Sequence, residues 1–544
     1  MKRTRLLRIV LFVATILLIS VFVALNARRE TVARAEPAFH GVLTYHNDNM
    51  RTGRNPSETT LTLENVQSNK FGKLFTVSTD GLVDAQPLYV PNLTVGGGTH
   101  NVLFVESENA TVYAFDADDG SLLWHVTALG SGETASDDRG CSQVTPKIGI
   151  TSTPVIDLTS GPHGTIYLVA MSKDSSGNYY QRLHGLDITT GAEEFGGPVP
   201  IAAQYPGTGD NSSKGYVVFD PKQYKERAGL LLINHTVYTS WASHCDDRPY
   251  TGWIISYNES TLKQTSVLNV TPNGSEGAIW GAGAGLASDG SGNIYFLDAN
   301  GTFDTSLDAN GFPVNGNYGN AIMKLSTKNK KLAVADYFNM YNTVSESNSD
   351  EDLGSGGAMV IPEFKDSTGA LHELVVGAGK DQNIYLADRT NMGKFNPSNN
   401  SQIYQELTGS LSGSVYSSPA FESGRIYYGA VDDAIKAFAF NSSGKLNSTP
   451  QSETTISFSY PGATPSISGN NRSNLIVWAA SNTSPAVLYA YNANNLAVEL
   501  YDSNQAASGR DHFGNGNKFI TPTIANGKVY VGTQTGVGAF GLLP

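Results

Sequence analysis

Residues Asn101–His125 read NVLFVESENATVYAFDADDGSLLWH, and this stretch indicates the fold class. An apolar run is followed by a polar turn, an aromatic segment that ends in Asp, a second turn of Asp and Gly, and a further apolar run. Short apolar or aromatic runs bounded by Asn, Asp and Gly are typical of antiparallel strands joined by tight turns. The stretch therefore predicts successive strands of one sheet.

The same pattern recurs along the chain at a spacing of about 45–75 residues, which is typical of propeller blades. The seven other copies begin at Thr165, Thr236, Asn293, Leu374, Arg425, Leu475 and Lys528. They predict an all-β chain that folds as an eight-bladed β-propeller, with seven blades as the alternative. The last copy stops at Pro544 without an outer strand, and the segment Gly72-KLFTVSTD is expected to supply that strand and close the ring.

Composition agrees with a chain of strands and turns. Charged residues make up 16% of the 544 residues, and 57 residues are glycine, which argues against a helical bundle. Hydrophobic residues make up 40%, which excludes wholesale disorder. The net charge of -13 becomes -19 without residues 1–35, which hold seven Lys or Arg and one Glu. Because so acidic a body repels phosphate, nucleic acid is not an expected partner.

Residues 1–35 have the features of an export signal. Basic residues precede an apolar run from Ile9 to Leu25, and Val32-Ala-Arg-Ala35 offers a small-residue cleavage pattern. The apolar run is long for a signal, and Arg28 and Arg29 follow it, so an uncleaved N-terminal membrane anchor is the alternative. In both cases we expect an exported protein, periplasmic or extracellular. Its body would consist of an extended segment, residues 36–70, and the propeller, residues 71–544.

The expected exported body contains two cysteines, Cys141 and Cys245. Two buried thiols and one disulfide are both compatible with the sequence. An oxidising compartment favours the disulfide.

Blade topology places two kinds of loop on one face of a propeller, the loop before each innermost strand and the loop between the second and third strands. Nine residues with polar, aromatic or sulfur-containing side chains fall in such loops: Asp84, Cys141, Lys147, Ser243, Asp246, Trp280, Asn300, Asp352 and Lys380. These residues are the candidates for a functional site. The alternative is that the loops are polar only because they face solvent.

Two segments resemble the quinoprotein family of pyrroloquinoline quinone (PQQ)-dependent alcohol dehydrogenases. Val112-YAFDADDGSLLW resembles the PQQ-like repeat, and Tyr45-HNDNMRTGRNPSETTLTLENV resembles the opening of these proteins. The resemblance extends roughly from Tyr45 to Leu542. It implies an eight-bladed periplasmic enzyme with PQQ and calcium, although an outer-membrane assembly lipoprotein has the same repeat and binds no cofactor.

The resemblance implies five cofactor contacts. The carboxylate of Asp84, the loop residue Cys141 and the hydroxyl of Ser243 match cofactor-binding positions of the family. Lys147 matches the basic residue that binds a PQQ carboxylate, and Trp280, in a Trp-Gly pair, matches the indole under the quinone.

In the family, two adjacent cysteines form a disulfide over the other face of the cofactor. Here Ser142 follows Cys141, so that disulfide is absent. We hypothesise that Cys141 and Cys245 pair across neighbouring blades and take its place.

The resemblance also implies a metal and a general base. Asp246, in Ser243-His-Cys-Asp246, and Asn300 match calcium ligands, and Asp352 matches the catalytic carboxylate beside the metal. Lys380, 28 positions after Asp352, matches the basic residue near the quinone oxygen. Members that use lanthanides carry a second Asp two residues after the base. Gly354 stands there, so the resemblance implies calcium.

Two functions follow as hypotheses. The first is a PQQ- and calcium-dependent oxidoreductase that acts on the CH–OH group of an alcohol or a sugar. The alternative is a non-catalytic propeller that binds an envelope protein or glycan. In either case we expect membrane association only through an uncleaved N-terminal segment.

Overall fold

A strand from near the start of the chain pairs with the last strand in the computed structural model, which describes residues 39–544. Phe71–Ser78 runs antiparallel to Gly536–Leu542, with Phe71 opposite Leu542 and Ser78 opposite Gly536. Residues His40–Pro544 form one unit. The predicted signal or anchor, residues 1–35, lies outside the described residues. In the described part, no helix has the length and apolar character needed to cross a membrane.

Within residues 39–544 the strands form eight sheets of four or more strands, numbered here by the order of the repeats. The first four are sheet 1 (Leu88–Val95, Gly98–Glu106, Thr111–Asp116, Leu122–Thr127), sheet 2 (Glu133–Asp137, Lys147–Ile148, Val155–Asp157, Thr165–Asp174, Tyr179–Asp187, Val199–Pro200), sheet 3 (Leu231–Ile233, Thr236–Ser240, Trp253–Asn258, Gln264–Asn269) and sheet 4 (Ala287–Ser288, Asn293–Leu297, Ala321–Ser326, Ala333–Asn339, Lys394–Phe395).

The other four are sheet 5 (Met359–Val360, Leu374–Ala378, Ile384–Asp388, Gln405–Leu407), sheet 6 (Ala420–Glu422, Arg425–Gly429, Ile435–Ala439, Ser452–Glu453), sheet 7 (Arg54–Asn55, Ser466–Asn470, Ser473–Ser481, Val487–Asn492, Glu499–Asp502) and sheet 8 (Phe71–Ser78, Thr523–Ala525, Lys528–Thr533, Gly536–Leu542). Each repeat found in the sequence contributes strands to a different sheet.

Two smaller sheets and a few short helices lie in the connections. The sheets consist of Gln204–Pro206, Ser212–Ser213 and Tyr216–Val218, and of Phe364–Lys365 and Leu371–His372. Within residues 39–544 the α-helix is Thr343–Asn348, and the 3-10 turns are Gly281–Gly283, Lys328–Lys330, Leu353–Ser355 and Ala507–Gly509.

Burial along the strands explains the sequence pattern. All residues of the second strands Thr236–Ser240 and Leu374–Ala378 are buried, and neither segment contains a charged residue. The outer strand Leu122–Thr127 is half-exposed and mixes polar with apolar residues. The period of hydrophobicity therefore distinguishes central from outer strands.

Neighbouring sheets pack face to face through shared hydrophobic clusters. Sheets 2 and 3 share a cluster that contains Tyr167 and Trp253, and sheets 7 and 8 share one that contains Trp478 and Phe540. Similar clusters join sheets 3 to 4, 4 to 5, 5 to 6 and 6 to 7. Since each of sheets 2 to 7 packs against the next one along the chain, the side-chain core of these sheets is divided among the contacts between them.

The segment before the repeats is part of this packing. Arg54–Asn55 adds a parallel strand to sheet 7. Arg51 is fully buried, and its guanidinium donates to the carbonyl oxygens of Tyr45, Leu230 and Leu286. Burial lowers the pKa of Arg51 to about 10. The segment predicted as an extended arm therefore contacts sheets that lie far from it in the sequence.

Candidate functional site

A pocket of about 320 Å³ lies among loops of sheets 2 to 8. Cys141, Gln143 and Val144 come from the loop between Glu133–Asp137 and Lys147–Ile148 of sheet 2. Each of the other lining residues comes from a loop before the first strand of a sheet or from a loop between the second and third strands. The lining residues are Cys141, Gln143, Val144, Lys225, Arg227, Ala242, Ser243, Cys245, Asp246, Ala278, Trp280, Asp350, Asp352, Lys380, Tyr416, Tyr460 and Phe519. These two kinds of loop are the ones in which the sequence placed the candidate site.

Cys141 and Cys245 form a disulfide, with their Cα atoms 5.6 Å apart. Cys141 belongs to sheet 2 and Cys245 to the loop after Thr236–Ser240 of sheet 3, and both line the pocket. The pairing across neighbouring sheets that was inferred from the sequence is confirmed. The disulfide ties together two loops that carry pocket residues.

Trp280, Asp352 and Lys380 meet in the pocket. The Trp280 Nε1–H group donates to Asp352 Oδ2 over 3.2 Å, and Lys380 Nζ lies 2.6 Å from Asp352 Oδ1. Asp352 directly precedes the turn Leu353–Ser355, and its side chain is 2% exposed. The structure thus brings together three residues that are widely separated in the sequence.

The charges of this group depend on one another. Burial raises the pKa of the Asp352 carboxyl to about 6, although the ammonium of Lys380 opposes the rise. Burial alone would lower the pKa of Lys380, but the charges of Asp352 and Asp350 outweigh it and raise that pKa above its ordinary value. At neutral pH the site holds the Asp352 carboxylate paired with the Lys380 ammonium. Because the pKa of Asp352 lies close to neutral pH, this carboxylate can accept a proton with little change in free energy.

Asp350 is a pocket residue that the sequence reasoning did not select. Its Oδ1 accepts hydrogen bonds from Lys380 Nζ over 2.6 Å and from Asn300 Nδ2 over 2.8 Å. Asn300, a predicted calcium ligand, is buried but does not line the pocket. In the described part of the chain its Oδ1 has no hydrogen-bond donor. Such an orphaned oxygen is suited to a cation.

Ser243 and Asp246 both line the pocket, as the sequence suggested. Asp246 is exposed, and its Oδ1 accepts a hydrogen bond of 2.8 Å from the Tyr250 hydroxyl. Among residues 39–544, no group of three or more His, Cys, Asp or Glu side chains is placed to hold a metal ion. A calcium ion would therefore also need the Asn300 amide and oxygens of a bound cofactor.

Lys147 and Asp84 do not line the pocket. Lys147 lies in the strand Lys147–Ile148, opposite Asp137, and its contact with a PQQ carboxylate stays a prediction. Asp84 is buried, and its Oδ1 lies 3.8 Å from Arg227 Nη2. Asp84 therefore does not line the pocket, but it lies next to Arg227, which does.

Lys225 and Arg227 supply positive charge to the pocket, and the sequence reasoning missed both. They lie before Leu231–Ile233, the first strand of sheet 3, so they belong to the same kind of loop as the predicted residues. Both are buried, and Arg227 Nη2 has no hydrogen bond within residues 39–544. A Lys-x-Arg motif directly before an innermost strand was the signal that would have found them.

Aromatic rings form another wall of the pocket. The Trp280 ring lies 6.0 Å from that of Tyr416 and 6.2 Å from that of Phe519, measured between centroids. Tyr460 packs against Tyr416, and the Arg227 guanidinium lies 5.1 Å from the Phe519 centroid. A pocket with aromatic walls and convergent charged groups is suited to a flat, anionic organic molecule.

Solved structures of other proteins have a fold similar to that of this chain. The quinohemoprotein alcohol dehydrogenase of Comamonas testosteroni is 14% identical, with a TM-score of 0.59 over 95% of this chain and 82% of that chain. The enzyme of the same kind from Pseudomonas putida HK5 is 13% identical, with a TM-score of 0.59 over 92% and 80%. A europium-containing methanol dehydrogenase is 11% identical, with a TM-score of 0.57 over 92% and 98%.

The chain has the fold of the quinoprotein alcohol dehydrogenases. The resemblance inferred from the repeats is confirmed at the level of the fold, and at such identities it carries no further than the fold. No protein-family model and no curated protein matches the chain.

Proposed function

We propose that the chain is a quinoprotein dehydrogenase that oxidises a small alcohol or sugar with PQQ bound in the pocket. The observation that carries the proposal is the contact of the buried Asp352 carboxylate with Lys380 Nζ and Trp280 Nε1 at the wall of that pocket. PQQ-type quinones supply a two-electron acceptor when bound. The neighbouring enzymes named above are alcohol and methanol dehydrogenases, which supports the reaction class.

The pocket fits a flat cofactor that carries carboxylates. Arg227 presents a planar fork of donors, one of which makes no hydrogen bond within residues 39–544, and planar guanidinium groups bind carboxylates in bidentate geometry. Trp280 offers a ring face, and the Cys141–Cys245 disulfide adds a second apolar surface. Lys380 would hold negative charge on a cofactor oxygen, because its ammonium stays charged at all moderate pH values.

Asp352 would act as the general base. Its carboxylate accepts the proton of the substrate hydroxyl, and Lys380 keeps the carboxylate ionised at neutral pH despite its burial. Calcium, if present, would be held by Asp246, Asp352 and the orphaned Asn300 Oδ1, and it would polarise a cofactor carbonyl as a Lewis acid.

We further propose that the eight sheets are eight blades of a ring closed by the pairing of Phe71–Ser78 with Gly536–Leu542. The support is the sequential packing of the sheets and the antiparallel pairing of that early strand with the last one. The disulfide favours an oxidising compartment, which agrees with export directed by residues 1–35. N-terminal sequencing of the protein recovered from cells distinguishes a cleaved signal from an anchor.

The decisive experiment is reconstitution of the purified chain with PQQ, with and without calcium. We expect the cofactor to remain bound after gel filtration, and we expect dye reduction with primary alcohols or sugars. Asp352→Asn should lower the rate of dye reduction at least about 100-fold while PQQ is retained, since general bases contribute about 100- to 10,000-fold. Lys331→Gln, a change of an exposed residue, is the matched control.

Absence of PQQ binding under all these conditions would contradict the proposal. It would favour the alternative of a non-catalytic propeller that binds an envelope protein or glycan.

A further inference from the structure

Lys225 is a buried lysine that faces the pocket without a partner. The residue is 6% exposed and lines the pocket. Its backbone is fixed, because Lys225 and Ala242 exchange both of their N–H···O=C hydrogen bonds. Within residues 39–544, Lys225 Nζ makes no hydrogen bond or ion pair. A buried ammonium without a counter-ion is disfavoured, and an amine that loses its proton relieves that cost.

The charged groups around Lys225 shift its pKa in both directions, and burial is the largest cause. Burial lowers the pKa of Lys225 to about 8, and the positive charges of Arg227 and Lys518 add to the effect. The carboxyl groups of Glu108 and Asp84 oppose the effect, and each of them acts less strongly than Arg227 but more strongly than Lys518. The imidazole of His244 also faces Lys225, and its own pKa is lowered to about 3 by burial and by the Lys225 charge, so it adds no positive charge at neutral pH.

We propose that Lys225 is a carbonyl-reactive residue of the pocket, whose Nζ condenses with an aldehyde or ketone to form an imine. The nitrogen lone pair forms a bond to the carbonyl carbon. The two hydrogens of the neutral amine and the carbonyl oxygen then leave as water, so the step needs no oxidant or reductant. A lysine that is desolvated and lies next to another cation is a recognised arrangement for this chemistry.

The class of ligand rests on the proposed function, since aldehydes and ketones are what oxidation of a primary or secondary alcohol yields. Lys225 would then retain the aldehyde or ketone product in the same pocket in which the alcohol is oxidised. Lys380 lines the same pocket but is held by two carboxylates at 2.6 Å, so it stays protonated and is not expected to react.

The test is reductive trapping on the purified chain without added PQQ. Benzaldehyde and sodium cyanoborohydride convert an imine to a stable benzylamine, and peptide mass mapping locates it. At pH 7, a lysine with a pKa of about 8 has about 300 times more free amine than one with the ordinary pKa of 10.5. We therefore expect Lys225 to be benzylated at least tenfold faster than the exposed Lys331 and the pocket residue Lys380, with a midpoint near pH 8.

Two variants keep the test falsifiable. Lys225→Met should abolish benzylation at that position and leave Lys331 labelling unchanged. Arg227→Met removes a like charge, so the midpoint for Lys225 should move to higher pH and labelling at pH 7 should fall severalfold. Circular dichroism shows whether each variant is folded.

Labelling of Lys225 no faster than that of Lys331, or a midpoint above about pH 10, would overturn the proposal. Because no PQQ is present, failure here is independent of failure of the proposed function. If the chain binds PQQ but Lys225 is not selectively labelled, the proposed reactivity of Lys225 is wrong and the proposed function is unaffected.

Discussion

At the scale of single residues, the site differs most from its sequence interpretation in where the positive charge lies. Lys147 was the basic residue that the resemblance implied, but its strand pairing with Asp137 keeps it away from the pocket. Arg227 reaches the pocket and is held against Phe519 and the carbonyl oxygen of Thr151. Substitutions at Arg227 and at Lys147 are therefore expected to differ in their effect on PQQ affinity.

Arg227→Met should weaken PQQ binding about 10- to 100-fold, because a charge-assisted hydrogen bond to a carboxylate contributes about 1.5–3 kcal/mol. Lys147→Met should change the affinity less than twofold, since Lys147 lies outside the pocket. Equilibrium titration with PQQ, followed by tryptophan fluorescence, measures both. Equal losses in the two variants would show that the pocket described here is not where the cofactor binds.

Glu106 provides a test of buried charge elsewhere in the molecule. It ends a central strand of sheet 1, is fully buried, and within residues 39–544 neither carboxyl oxygen has a hydrogen-bond partner. Burial raises the pKa of Glu106 to about 8. The folded protein therefore holds a proton that the unfolded chain releases above about pH 4.3.

Because the folded state binds the extra proton, Glu106 makes the free energy of unfolding fall as pH rises from about 4 to 8. Glu106→Gln should remove this part of the decline and should be more stable than the parent at pH 9, by roughly 2–5 kcal/mol. Urea unfolding at pH 5, 7 and 9 measures the difference. A parent and variant with parallel pH profiles would contradict the burial of an uncompensated carboxyl.

At the scale of elements, the disulfide links two loops that the strands alone do not join. Cys141 and Cys245 are separated by 104 residues, and a loop of about 100 residues corresponds to about 4.7 kcal/mol in the chain-entropy description of a cross-link. The double variant Cys141→Ser, Cys245→Ser should therefore be less stable by about 2–5 kcal/mol. Urea unfolding with and without reductant measures this.

Reductant provides the control for that prediction. It should destabilise the parent and leave the double variant unchanged, because the variant has no disulfide. We also expect the reduced parent to lose PQQ faster than the oxidised one, since both loops carry pocket residues. A reductant effect of equal size on both proteins would show that the disulfide is not responsible.

At the scale of the whole molecule, the first and last parts of the chain depend on each other. Phe71 is fully buried, and its ring lies 5.5 Å from Trp478, 5.0 Å from Tyr501 and 6.4 Å from Phe540. It thus joins sheets 7 and 8 at the place where the early strand pairs with the last. This position tests the proposed closure of the ring.

Phe71→Ala should lower the free energy of unfolding by about 3–5 kcal/mol, the usual cost of deleting a buried aromatic ring. Thr76→Ala, on an exposed position of the same strand, should change it by less than about 0.5 kcal/mol. Thermal unfolding followed by circular dichroism measures both. A loss confined to a minor early transition would indicate that the pairing is peripheral to the fold.

The sequence by itself determined the sheets. Each repeat carries its own alternation of apolar and turn residues, and strands next to each other in the chain pair with each other, so local patterning was enough to find eight strand groups. The same reasoning selected six residues that line the pocket, and the hypothesis that Cys141 pairs with Cys245 is confirmed.

Only the tertiary structure decided which loop residues meet. Lys225 and Arg227 enter the pocket from sheet 3, Asp350 from sheet 5 and Phe519 from sheet 8, and nothing in the local sequence of a loop fixes which of its side chains turns inward. Lys147 does not line the pocket because it lies in a short strand opposite Asp137, although Cys141 in the preceding loop does. Asn300 does not line the pocket either, but its amide donates to the pocket residue Asp350. Convergence of distant loops depends on how sheets pack on one another, and that packing is encoded by the whole set of contacts between sheets and not by any single repeat.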